Sequence, residues 1–209
     1  MKQRLFRDRA AWRGWLEKNH DKASELWLVY YKKHTGKRSV TYQEALDEAL
    51  CYGWIDSTVN TIDDERYRQR WTPRKPRSGW SARNKQRIAE LIDAGKMAAP
   101  GLARIEAAKE NGSWSQLDKV DAGETPEVLA RALTRNKKAR LFYEQLAPSA
   151  RKQYIWWIAS AKRDETREQR LKETVRRLAA GIKPGIASAD LPGKTKRAAK
   201  KTGLRSPRR

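Results

Sequence analysis

The sequence predicts an α+β fold: a small antiparallel sheet packed with helices, then a C-terminal helical bundle and a disordered basic tail. Three observations predict it. The aromatic and β-branched run Glu25–Lys32, with alternating runs at 54–60 and 66–72, reads as strands. Apolar residues at helical spacing, flanked by capping residues, fill most of what remains. Residues 183–209 carry nine Lys/Arg against Asp190 alone, with no aromatic and too few apolar side chains to offset the entropy of ordering.

Each element has a local cause. Asp8 caps a first helix that holds Trp12, Trp15 and Leu16 and ends at Asn19. After the strand Glu25–Lys32 comes a turn through Arg38. Thr41 and Glu44 then make a capping box, with Ala45, Leu46, Ala49 and Leu50 as the buried stripe and Gly53 past the helix end. Trp54–Asn60 and Arg66–Thr72 form a hairpin around the acidic loop 61–65. Period-two alternation puts Ile55 and Val59 on one face, opposite Trp54, Asp56 and Thr58. On the second strand Tyr67, Gln69 and Trp71 oppose Arg66, Arg68 and Arg70. A helix from Ser81 buries Ile88, Leu91 and Ile92 and stops at Gly95, and another from Pro100 to Asn111 turns Leu102 and Ile105 inward.

An N-terminal domain thus spans 1–115, a linker 116–124, a helical domain 125–182 and the basic tail 183–209. Four helices fill the helical domain. The first, after Thr125-Pro126, presents Val128, Leu129, Ala132 and Leu133; the second, capped by Asn136, buries Leu141, Phe142 and Leu146. Pro148 opens the third, which holds Tyr154 to Ile158. Thr166 and Gln169 form a capping box for the fourth, with Leu171, Val175 and Leu178 inward and Gly181 as terminator. Trp156 and Trp157 point about 100° apart, so one is core, and an exposed one marks a partner surface.

Charge bounds the function. The chain has 47 Lys/Arg and 25 Asp/Glu, a net +22, so anionic partners are expected. The tail holds +8 of this and the body +14. One cysteine excludes a disulfide framework and a Cys-rich zinc cluster, and two isolated histidines make no metal site. Cys51 sits on an apolar helical stripe and reads as structural. No phosphate loop, dinucleotide fingerprint or hydrolase motif occurs, so no catalytic residue, metal or cofactor is expected. The charged start shows no secretory signal and no run reaches membrane-spanning length, which implies a cytoplasmic chain without a transmembrane segment.

The strongest constellation is polar and aromatic: Trp54, Asp56, Arg68, Arg70, Thr72, Arg74, Trp80 and Asn84. If the hairpin brings Trp54 and Asp56 onto the face of Arg68 and Arg70, Asp56 holds one arginine. A second guanidinium then grips a carboxylate or phosphate beside a tryptophan wall. Read as structure instead, Asp56–Arg70 is an ordinary ion pair and the tryptophans are core.

Several of these residues recur in long motifs. The segment Tyr30–Asp56, with its Thr41-Tyr-Gln-Glu-Ala-Leu-Asp-Glu-Ala-Leu-Cys-Tyr-Gly-Trp-Ile-Asp56, is the longest. Arg70-Trp-Thr-Pro-Arg74, Trp80-Ser-Ala-Arg-Asn84, Pro148–Ile158 and Ala161–Arg167 follow in order. Together they resemble the YdeI/OmpD-associated, or bacteriocin-protection, family over about residues 6–182. The resemblance implies resistance to cationic antimicrobial peptides in association with an outer-membrane porin, and supplies no catalytic residues. The resulting expectation is a non-enzymatic binding protein linked to envelope or antimicrobial-peptide stress, with an anion-binding surface. A nucleic-acid accessory protein is the alternative, with Lys194, Lys196, Arg197, Lys200, Lys201, Arg205, Arg208 and Arg209 on phosphates, joined by the Arg66/Arg68/Arg70 face. An enzyme acting on a small anionic substrate is the third reading.

Overall fold

The computed structural model describes residues 2–161 and 163–184, so the tail lysines and arginines from Lys194 to Arg209 lie outside the described residues. Contacts divide the chain into two compact units, one through Glu124 and one from Thr125 onward.

The first unit holds a four-stranded mixed sheet in the order β1-β2-β4-β3. Its strands are β1 (Gln3–Leu5), β2 (Leu26–Tyr31), β3 (Trp54–Thr61) and β4 (Arg66–Pro73). β4 runs antiparallel to both its neighbours, as the hairpin predicts, but β1 lies parallel to β2 with Gln3 opposite Trp27. β1 has only three residues, all exposed, so it lacks the apolar alternation by which a strand is recognised.

The hairpin register overturns one expectation. Asp56 stands opposite Trp71 and Val59 opposite Gln69, so Ser57 and Thr58 together face Arg70 in a bulge. Opposed residues share a face, hence Trp54 and Asp56 lie with Gln69 and Trp71, not with Arg68 and Arg70. The extra residue also moves Val59 to the face opposite Ile55.

Helices α1 (Arg9–Asn19), α2 (Tyr42–Cys51), α3 (Ala82–Asp93), α4 (Ala99–Glu110) and α5 (Asp118–Ala122) complete the unit. The Asp8 carboxylate accepts from Ala11 N at 3.0 Å, Thr41 and Glu44 close their capping box, and Ser81 caps α3. The core joins Trp12 and Leu16 of α1 and Leu46 and Leu50 of α2 to Leu28, Tyr30, Trp54 and Trp71 of the sheet. Three of the core indoles bond their N–H across the core: Trp12 donates to Ala45 O, Trp54 to His20 O and Trp71 to Tyr30 Oη.

Two glycines let α4 close on the end of α2. A Cβ on Gly101 would lie 2.2 Å from Cys51 O, and Gly53 turns the chain at φ +71°. Because Gly101, Ile105 and Ala108 form the inward stripe of α4, Leu102 points about 100° away and is exposed, contrary to expectation. Ile92 is exposed for the same reason, one position beyond Leu91. Within the segment read as a linker, residues 118–122 form α5 and Val120 is buried.

The second unit packs α6 (Glu127–Thr134), α7 (Lys137–Gln145), α8 (Pro148–Ala159) and α9 (Asp164–Ala179) around Leu129, Leu133, Tyr143, Tyr154, Ile158 and Leu178. Asn136 caps α7 as its position predicts. Leu141, expected inside, is exposed, and so is Val128, each one residue off its helix's inward stripe. The box at Thr166 does not form, because α9 already begins at Asp164, whose carboxylate with that of Glu165 complements the helix dipole. Of the paired tryptophans, Trp157 is buried and Trp156 is 51% exposed.

Candidate anion-binding site

Charged side chains seldom go fully inside unless paired. Among the described residues of the first unit three do: Asp47, Glu48 and Arg74. Their surroundings differ.

Asp47 and Glu48 lie on the buried side of α2, enclosed by three arginines from two other helices. Arg87 grips Asp47 with both arms, Nε at 2.6 Å and Nη2 at 2.5 Å, and pairs with Glu90. Arg9 reaches both carboxylates, and Arg13 Nη1 binds Glu48 at 2.6 Å while its Nη2 donates to Lys96 O. Gln43 adds a donor to Asp47 at 3.1 Å. Burial pushes the Asp47 carboxyl up, but the Arg87 and Gln43 hydrogen bonds outweigh it and hold the group below the usual carboxylate range. This network is closed and locks α1, α2 and α3 together.

Arg74 is open. Only 4% of it is exposed, at the end of β4 where the strand leaves the sheet. Its guanidinium lies 3.6 Å over the Trp80 ring, and Nη2 donates to Gly79 O at 2.7 Å. Nε and Nη1 have no partner. Burial pulls the guanidinium down to about 10, a loss that the field of Asp56 only partly offsets. Trp80 is fixed in turn by Trp114, 5.2 Å away.

Asp56 is the neighbouring acid. Gln69 Nε2 donates to its Oδ2 at 2.6 Å and Tyr42 Oη at 3.5 Å. Burial nonetheless raises the Asp56 carboxyl above its ordinary value, against its own backbone amide, Tyr42 and the fields of Arg74 and Arg83. Burial thus disfavours charge on both Asp56 and Arg74.

The sequence-predicted residues separate accordingly. Arg74 and Trp80 come together, and Arg74 acts on Asp56 through its field without an ion pair. Trp54 is a core residue, wholly buried. Arg68 and Arg70 lie on the side of the sheet opposite Asp56, so the expected Asp56–Arg70 pair does not form. Arg70 instead binds Glu25 at 2.6 Å, and Arg68 lies over Trp27 and donates to Gln3. Arg66 is held by Asp63 at 2.6 Å. Thr72 faces Ile55 across that same side, and Asn84 occupies the first turn of α3 with its N–H on Ser81. Sequence reasoning missed Tyr42 and Gln69, whose link to Asp56 requires the register of the bulge. Cys51 is buried and its thiol is pushed up to about 11 by burial, the state of an inert core cysteine. No group of three or more His, Cys, Asp or Glu that could hold a metal ion stands among the described residues, and no helix there is long and apolar enough to cross a membrane.

With the two units and the Arg74 niche defined, comparison with known families separates them. Residues 4–104 match a domain of unknown function, DUF8412. Residues 122–181 match the family described as Bacteriocin-protection, YdeI or OmpD-Associated. The helical unit therefore carries the YdeI/OmpD-associated domain, while the motifs of Tyr30–Asp56, Arg70–Arg74 and Trp80–Asn84 fall in the other match. No curated protein and no solved structure matches the chain.

Proposed function

We propose that the first unit binds a small anionic ligand at Arg74, and that the chain is a non-enzymatic binding protein acting in envelope or antimicrobial-peptide stress. One observation carries the binding reading: a nearly buried guanidinium keeps two N–H groups without a protein partner. Buried donors are almost always satisfied, and Nε and Nη1, which point to different sides of the guanidinium, are each left to donate to an oxygen of a carboxylate or phosphate. Trp80 holds the guanidinium plane, and the protonatable Asp56 relieves charge repulsion when the anion enters. The stress setting is supported by the family description of residues 122–181. A chain of net +22 repels cationic peptides, so its ligand is an anion and not the peptide.

The test is a thermal-shift series on the full chain with inorganic phosphate, citrate and an uncharged sugar. The anions raise Tm in the wild type and in Arg70→Ala, whose arginine is tied to Glu25, and lose that effect in Arg74→Gln. A stabilisation that survives Arg74→Gln removes the site.

A further inference from the structure

A groove in the first unit lies apart from Arg74. It holds about 830 Å³, and its lining includes Lys2, Arg4, Trp15, Lys18, Lys22 and Glu25. We infer that this groove binds the sugar-phosphate backbone of single-stranded nucleic acid, with Trp15 as its aromatic wall.

The sequence builds the groove from two elements. Lys2, Arg4 and Phe6 alternate onto one face of the first strand, and Phe6 is in the core. Lys2 and Arg4 extend that face, pinned by the pairing of β1 with β2 and by Trp27 N donating to Lys2 O at 3.1 Å. Lys18 comes from the last turn of α1 and Lys22 from the turn after it, which folds back through Ala23 N on Asn19 O at 2.8 Å. None of these four cations makes an ion pair within 4 Å among the described residues. The single carboxylate lining the groove, Glu25, is already neutralised by Arg70.

Trp15 is stacked on Trp12 at 5.3 Å and stands edge-on to Trp54, so the ring is rigid and its remaining surface forms part of the groove wall. Cations tracking a backbone beside a fixed aromatic ring are the recurrent device for single strands. The volume suits a nucleotide-sized moiety and not a duplex. The basic tail is a competing polyanion site, and the test has to separate the two.

Lysine-modification footprinting of the full chain does so. A single-stranded oligonucleotide protects Lys18 and Lys22 while Lys75 and Lys109 stay reactive. Charge reversal at Lys18→Glu/Lys22→Glu weakens oligonucleotide binding by about tenfold or more at moderate salt and flattens its salt dependence. Both substitutions are at exposed positions, and an unchanged Tm shows that the fold is kept. Protection confined to the tail lysines overturns the inference. So does equal protection by a free mononucleotide or by a duplex at the same phosphate concentration.

Discussion

The first unit contains two acid–arginine clusters with the same ingredients and opposite electrostatics. Around Asp47 and Glu48, three arginines from α1 and α3 close on two carboxylates, and the Asp47 carboxyl lies below its ordinary range. Around Asp56 and Arg74, the acid lies above its usual value and the guanidinium falls to about 10. The difference is satisfaction. In the first cluster every charge meets its partner directly, so burial is offset. In the second, Asp56 is served by the neutral groups of Gln69 and Tyr42, and Arg74 by one carbonyl and a ring. A closed cluster holds helices in place; the other leaves two arginine donors without a protein partner.

Removing a partner from the closed cluster has the largest expected effect. Asp47→Ala leaves Arg87 without its bidentate acceptor and costs about 3 kcal/mol of stability, measured by urea unfolding. It also removes a pH dependence. The Asp47 carboxyl is lowered on folding, so its stabilisation is present above the ordinary carboxylate range and lost as pH falls below it. The Asp47→Ala chain should therefore lose less stability on acidification than the wild type.

Gly101→Ala is the next largest. The new methyl meets the Cys51 carbonyl, which is backbone and cannot swing aside, and the expected loss is about 2 kcal/mol. Since this change touches α4 and the end of α2 without touching any arginine, it tests how far α2 packing alone sustains the closed cluster. A falling Tm with an unchanged acid slope separates packing from charge.

Asp56→Asn has the smallest effect and the opposite sign. A carboxyl raised on folding contributes fully below its unfolded value and less as pH rises through the folded one. The amide avoids that loss, so the variant gains roughly 0.5 kcal/mol at neutral pH and nothing at pH 3. A loss at neutral pH would show that ionised Asp56 is a structural partner of Arg74 and would erase the contrast between the clusters.

Most of the scaffold was legible from the sequence because its signals are local. Asp8, Thr41 with Glu44, Ser81 and Asn136 all cap the helices that their positions announce. β1 was not legible, since three exposed residues carry no pattern and a parallel partner more than twenty residues away decides their state. Leu102, Ile92 and Leu141 misled because neighbouring apolar residues compete for one inward stripe, and the close approach at Gly101 sets the winner on α4. The site was half legible. Asp56, Arg74 and Trp80 belong to it, but Arg68 and Arg70 were assigned to the wrong face because one bulge residue reverses every later side chain. Asp47 and Glu48 gave a usable signal, two adjacent acids inside an otherwise apolar stripe.

The most direct measurement is the Arg74 Nε–H resonance in a proton–nitrogen correlation spectrum, assigned by its loss in Arg74→Lys. Addition of phosphate or citrate should shift that signal and leave the Arg70 Nε–H, bonded to Glu25, in place. An Arg74 signal that stays fixed at saturating anion, or that moves no more than the Arg70 signal, would contradict Arg74 as the anion's seat.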